Sequence, residues 1–352
     1  MTIFSSNGTM EFKKICIIHL NQIGDLVFSL PLLKTLRENN PGAAIHSVIR
    51  PYLHDLLAPS PYVDQLIHRK GSWVDGLKLL RRIRQNRYDL LISLSRSIEC
   101  LMLTNLSGAK VKAGFQHPPW DWGLHIKEKI EGHHSWVNNL KLLRRLNVDV
   151  LQKDYVGLLV LPEPADPGRK REAGWVRPRG KYAVIAAGTS ARRKVKAWEE
   201  RKFGELIVLL KDKHDLDPVL VGSESDQEVH RQVVGMIKEA DRGHRVGQVF
   251  DLSGKISLLD LCYILKDASL FVGVDSGIMH LASALDIPVV GIFGPTDPSY
   301  VGPLNTRSVA VREEGLDCMP CYLKGCEERA CLKNLEVEKV FRSCEQVLDS
   351  PR

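Results

Sequence analysis

Long apolar runs are missing from this chain, and no stretch reaches the roughly 18 uninterrupted apolar residues that a membrane span needs. Its opening residues, Met1 to Lys14, are polar and hold no apolar core, so they lack the form of a secretory signal. Two common glycine-rich nucleotide loops are also absent. There is no G-x-x-x-x-G-K-[ST] run, and no G-x-G-x-x-G follows the first strand-like segment, which weighs against a P-loop and against NAD. Charge of neither sign dominates: 49 Lys+Arg against 42 Asp+Glu leave a net charge of +7. That mild basic excess suits an anionic ligand or a membrane surface and identifies neither. These absences point to a cytoplasmic protein, whose eight cysteines are then expected as thiols or metal ligands rather than disulfides.

With 352 residues the chain is long for one domain and comfortable for two. Lys14 to Leu20 is a continuous apolar run of strand length, the form of a buried parallel strand. The turn Asn21-Gln-Ile-Gly24-Asp25 follows it. A helical period then runs to Asn39 through Leu26, Val27, Leu30, Leu33 and Leu36, with Pro31 expected to mark a kink or an irregular first turn. Ala44 to Ile49 closes a first βαβ unit. Strands are expected again at Gln65–His68, Tyr88–Leu94 and Lys110–Phe115, and helices at Trp73–Gln85, Ile98–Leu106 and His134–Leu146. Such alternation argues for a parallel sheet covered on both faces.

A stretch rich in proline, glycine and charge, Leu161 to Gly180, is the best linker candidate. Beyond it the alternation restarts with strands at Tyr182–Ala187 and Pro218–Val221 and helices at Glu199–Lys211 and Asp226–Ala240. It culminates in Ala268 to Pro298, read as strand, turn, helix, strand and a second Gly/Pro turn. The expected division is residues 1–165, a linker at 166–180, a second domain at 181–334 and a final helix within 335–352 that packs back on the N-terminal domain. Folds of this kind bind ligands outside the carboxyl ends of their strands and at domain boundaries.

Four features can carry chemistry. Asp25, beside Gly24 at the end of the first strand, suits a general base, although a helix N-cap explains an aspartate there equally simply. Gly188-Thr189-Ser190 follows another strand and leads into Arg192, Arg193, Lys194 and Lys196 before Trp198. Small hydroxyls and cations there suit a diphosphate, and a solvated basic loop is the plain alternative. In Asp275-Ser276-Gly277-Ile278-Met279-His280 a strand ends and a helix begins, so free N–H groups and the helix dipole favour an anion. An ordinary capped βαβ turn accounts for the same residues. Finally, Cys318-x-x-Cys321-x4-Cys326-x4-Cys331 has the residue types for tetrahedral zinc or an iron–sulfur centre, but not the spacing of paired zinc knuckles. Structural thiols or labile disulfides are the preferred reading of that segment. The cation-rich stretch Lys70 to Arg87 reads as a solvated helix face or an anion-facing surface.

Taken together, Ile18 to Pro31, Lys196-Ala-Trp198, and Val274 to Ala284 continuing to Phe293-Gly-Pro-Thr-Asp-Pro298 resemble the ADP-heptose:lipopolysaccharide heptosyltransferases of glycosyltransferase family 9, in the same order over about residues 13 to 348. The resemblance is to the members that act on the second or third core heptose. It implies an α/β GT-B fold, two Rossmann-like domains whose parallel sheets face a central cleft, with acceptor on the first and nucleotide-sugar on the second. The implied reaction is inverting, metal-independent transfer of L-glycero-D-manno-heptose from ADP-heptose to the inner core of lipopolysaccharide, with no cofactor and no nucleic-acid partner. By position Asp25 matches the general base and Lys196 the lysine near the donor phosphates, with Lys194 the alternative. Thr189, Ser190, Asp275, Ser276, Gly277, Ile278 and His280 match donor-binding positions. Gly24 and Arg96 fall on the acceptor side, where an anionic Kdo–lipid A acceptor at the inner-membrane surface gives the basic N-terminal half a use.

Overall fold

The computed structural model describes residues 12–150, 152–163, 178, 180–189, 191–241, 245–322 and 325–351. The chain divides into two compact units, Met1–Pro162 and Glu163–Arg352. The linker expected at 166–180 lies almost wholly outside the described residues.

The first unit runs β1 (Lys14–Ile18), α1 (Ile23–Asn39), β2 (Ala44–Ile49), a short α2 (His54–Leu57), β3 (Gln65–His68), α3 (Trp73–Asn86), β4 (Leu90–Ser93), α4 (Ile98–Leu106), β5 (Val111–Phe115), β6 (Ile126–Glu128) and α5 (Ser135–Arg145). Its six strands order as β3-β2-β1-β4-β5-β6, all parallel. Apolar runs were the right signal because both faces of these strands are covered. Cys16 and Ile18 join Leu79 and Ile83 of α3 and Leu103 of α4 in one core. Ile15 and Ile17, fully buried as well, point to the other face, as alternate residues of a strand must. Each such side chain contributes about 1.5–3 kcal/mol by leaving water. Helix α1 starts two residues earlier than its periodicity suggested and continues through Pro31.

The second unit runs β7 (Tyr182–Ala186), a 3-10 turn at Ala191–Lys196, α6 (Glu200–His214), β8 (Asp217–Leu220), α7 (Gln227–Ala240), β9 (Phe250–Asp251), α8 (Leu258–Lys266), β10 (Leu270–Val274), α9 (Gly277–Ala284), β11 (Val289–Phe293), α10 (Pro298–Val301), β12 (Ser308–Arg312), α11 (Ala330–Lys333) and α12 (Val337–Asp349). Its sheet, also parallel, orders as β12-β11-β10-β7-β8-β9. Read from its own first strand, this is the same path as in the first unit: two strands to one side, then three to the other. It is the doubly wound order 3-2-1-4-5-6, and it occurs twice.

One expectation is corrected here. The final helix was offered to the N-terminal domain, but Val337, Val340, Cys344 and Val347 belong to the core of the second unit, with Phe203 and Leu206 of α6 and Ile292 of β11. Its apolar stripe has the 3.6-residue period of a core-facing helix, and the sheet face beside α6 is where that stripe is buried. Strands β6 and β12 escaped the sequence reading because they are half-exposed edge strands, and the apolar run in β12 is confined to Val309-Ala310-Val311.

Candidate active site

In a doubly wound sheet the crevice opens where strand order reverses, outside the carboxyl ends of the two strands that flank the reversal. For the first sheet these are β1 and β4, and for the second β7 and β10. The residues singled out from sequence fall after just these four strands.

In the first unit Asp25 lines a cavity of about 420 Å³ together with Asn21, Gln22, Ser95, Arg96 and Asn138. Helix α1 begins at Ile23 with Gln22 as its N-cap, so Asp25 is in the first helical turn and is not the cap residue. There the helix dipole favours a negative charge. Gly24, placed beside it from sequence, is buried. Arg96 is exposed on a loop held by hydroxyls: Ser93 Oγ donates to the Ser95 carbonyl at 2.9 Å, Ser95 Oγ meets Ser97 Oγ at 3.1 Å, and Ser97 caps α4. His117 Nδ1 meets the Arg96 carbonyl at 2.6 Å. On the opposite wall Asn139 donates to the Phe28 carbonyl at 2.9 Å and ties α5 to α1 beside Asp25. The cavity thus sets one carboxylate and one guanidinium among Asn and Ser side chains and an apolar wall of Leu20, Phe28, Leu94, Phe115 and Ile130, suited to a hydroxyl-bearing ligand with negative charge.

At the second switch point Lys196 and Asp275 form a buried ion pair, with side chains 7% and 6% exposed. Thr296 donates its hydroxyl to the same carboxylate oxygen, Asp275 Oδ2, at 2.7 Å. Burial would push the Asp275 carboxyl up, but Lys196 first, then His280 and the Thr296 hydroxyl, hold it below the usual carboxylate range. His280 is therefore close to the pair, one turn into α9 and buried. Ser276 stands at the N-cap position of α9 without capping it, and its Oγ is buried with no hydrogen-bond partner among the described residues. The sequence reading made Ser276 a good cap. The hydroxyl makes no bond to the helix N–H groups, which leaves both it and those donors for something else.

Lys196 is held in place from behind. Trp198, fully buried, donates its indole N–H to the Leu335 carbonyl at 3.1 Å and packs edge-on against Phe203. Lys194 is exposed, so of the two lysines left open by sequence it is Lys196 that reaches Asp275. Thr189 is half-buried after β7, and Ser190 lies outside the described residues, as do the side chains of Arg192 and Arg193. Gly277 and Ile278, half-buried, open α9.

Two groups had no role in the sequence reading. Thr296 sits in the quoted Gly-Pro-Thr-Asp motif, and only its distance to Asp275 gives it one. Asp226 accepts from both the backbone N–H and the hydroxyl of Ser223 at 2.7 Å, and it presses so closely on Gly188 that any Cβ there would overlap it. That contact explains the glycine after β7. The eight cysteines are free thiols. Cys331 is buried, and burial together with nearby Cys321, Cys318 and Cys326 pushes its thiol up, so the four gather in one place. Among the described residues no group of three or more His, Cys, Asp or Glu is placed to hold a metal ion, and no helix is long and apolar enough to cross a membrane.

The sequence model of Glycosyltransferase family 9 (heptosyltransferase) matches residues 76–332. The lipopolysaccharide heptosyltransferase 3 of Escherichia coli strain K12 is 25% identical over 342 residues, which cover 93% of this chain and 96% of that protein. Among solved structures, the ADP-heptose lipopolysaccharide heptosyltransferase II of E. coli superposes with a TM-score of 0.75 at 21% identity, covering 95% of this chain and 98% of that one. E. coli heptosyltransferase WaaC with ADP gives 0.72 at 22% identity, covering 95% and 99%. At these identities the two structures establish a common fold.

Proposed function

The chain belongs to glycosyltransferase family 9, the heptosyltransferases, and from that membership we propose that it moves a heptose from ADP-heptose to the inner core of lipopolysaccharide, inverting the anomeric centre without a metal ion. It is a glycosyltransferase; the donor, acceptor and mechanism are the parts proposed. The observation that carries the reading is that each doubly wound sheet has reactive groups at its own switch point, and that the two sets differ in kind.

In this reading the first unit presents the acceptor. Its hydroxyl gives its proton to Asp25 as the oxygen attacks the anomeric carbon, while Arg96 meets acidic groups on the acceptor. The second unit presents the donor. The bond from the anomeric carbon to the diphosphate oxygen breaks, and ADP leaves with the bonding electrons. The charge that develops there is met by Lys196 and by the N–H groups at the start of α9, which supply what a divalent cation would otherwise supply. Ser276 donates to the same diphosphate. Asp275, whose Oδ2 is bonded by Lys196 and Thr296, holds Lys196 in place for this role. A lipid-borne acceptor places the enzyme at the cytoplasmic face of the inner membrane.

The test is direct. Purified protein is incubated with ADP-heptose and heptose-deficient lipopolysaccharide, with and without a chelator, and ADP release and acceptor mass are followed. Transfer that survives the chelator is expected. Absence of both ADP release and mass gain would count against the reading, and transfer lost with the chelator would count against metal independence.

A further inference from the structure

Helix α3 carries more positive charge than its fold requires. Its inner face is accounted for by Leu79 and Ile83, buried on the sheet. The rest of its surface shows Lys78, Arg81, Arg82, Arg84 and Arg87, all exposed, against Asp75 as the helix's one acidic residue. The neighbouring cations Arg69 and Lys110 are matched to Glu99 and Asp89, whereas no described ion pair involves any of the five on α3. Two apolar side chains stand among them, Val74 47% and Leu77 54% exposed. Leu77, Leu80, Arg81, Arg84, Gln85 and Arg87 together edge a shallow groove.

A solvated helix face has no use for exposed Val and Leu, and a nucleic-acid surface has little. Cations interleaved with apolar side chains along one helix match an anionic bilayer, where the former meet phosphates and the latter enter the boundary with the acyl chains. Position agrees with this. Helix α3 follows β3, so its apolar end at Val74 and Leu77 lies towards the carboxyl edge of the same parallel sheet that carries the Asp25 cavity.

We propose that α3 is the surface by which this protein docks on an anionic lipid bilayer, with its cavity-side end dipping into the interface. The inference rests on the reading of a lipid-borne acceptor and adds the surface that reaches it.

Full-length protein is sedimented with phosphatidylcholine vesicles and with vesicles that also contain phosphatidylglycerol. Binding only to the second, falling with added salt, is expected. R81Q/R84Q/R87Q removes three cations without protein partners, so thermal unfolding should be unchanged while vesicle affinity drops about five-fold per cation, roughly a hundred-fold in all. L77S should weaken binding without altering its salt dependence. Wild-type protein that ignores anionic vesicles, a triple variant that binds like wild type, or preference for duplex DNA over vesicles would each overturn the proposal. Transfer to a delipidated oligosaccharide acceptor should be the same in wild type and triple variant, and transfer to vesicle-borne acceptor slower in the variant. Salt-sensitive vesicle binding with no transfer to either acceptor would support the docking surface and overturn the transferase reading.

Discussion

Replacing Lys196 by methionine tests the buried pair at the centre of the second unit. The two side chains are 7% and 6% exposed, so solvent screens their attraction little. Without Lys196, the Asp275 carboxylate keeps the Thr296 hydroxyl at 2.7 Å and the neighbouring His280 but loses the ammonium. Removing one partner of a buried pair costs about 3–5 kcal/mol, because the remaining charge stays desolvated. For a unit of this size that is roughly 6–20 °C in Tm. The pH dependence identifies the cause. In the wild-type protein the Asp275 carboxyl is held low, so its contribution to stability is full above the ordinary carboxylate range and drains as pH falls through the depressed value. In Lys196→Met burial dominates and the carboxyl rises. The variant therefore loses stability as pH climbs from the ordinary carboxylate value through the raised one, and its deficit should be larger at about pH 8 than at about pH 5. Adding Asp275→Asn should recover much of the loss, since no charge is then left buried. Thermal unfolding of the three proteins at both pH values is the assay, read on the transition of the second unit. A Lys196→Met deficit that does not change with pH, or that Asp275→Asn fails to relieve, would refute the reasoning.

Asp25→Asn should lower kcat by roughly a hundred- to ten-thousand-fold and leave ADP affinity by calorimetry unchanged; near-normal turnover would remove Asp25 from the base role. Ser276→Ala should leave Tm unchanged or raise it, because an unpartnered buried hydroxyl costs about 1–3 kcal/mol, while ADP-heptose binding weakens. A drop in Tm of the ligand-free protein would show that the hydroxyl has a structural partner. Thr296→Val removes a hydrogen bond to a carboxylate, worth about 1.5–3 kcal/mol, and should lower both stability and turnover. Thr296→Ser should retain them, and unchanged stability and turnover in Thr296→Val would remove the hydroxyl from this role.

The positions of the inner strands were legible because buried parallel strands announce themselves as apolar runs. Leu90 to Ser93 is apolar enough to be read as a strand and is buried throughout, and Gln65–His68 and Ala44–Ile49 have the expected ends. Edge strands such as β12 gave no such signal, since half-exposed residues need no continuous apolar run. The site was legible by position, through strand ends carrying Asp25, Thr189 and Asp275. What the sequence could not hold was pairing across distance. Lys196 and Asp275 are 79 positions apart and Thr296 lies a further 21 beyond Asp275, and only the folded sheet decides that Lys196, rather than Lys194, meets the carboxylate. Ser276 illustrates the opposite error: its residue type argued for a cap, and its hydroxyl makes no cap bond.

The two units share one strand path and differ in how their switch points treat charge. The first keeps Asp25 and Arg96 in a pocket walled by Asn and Ser side chains, where a carboxylate can take a proton from a hydroxyl. The second buries a cation against a carboxylate that already has a second donor, next to a helix start whose cap hydroxyl is unused. A surplus of donors arranged around a buried cation favours an anion that arrives or forms there, such as a departing diphosphate. Proton acceptance on one sheet and anion stabilisation on the other are the two halves of a group transfer. The proposed placing of acceptor on the first unit and donor on the second agrees with the chemistry of these groups.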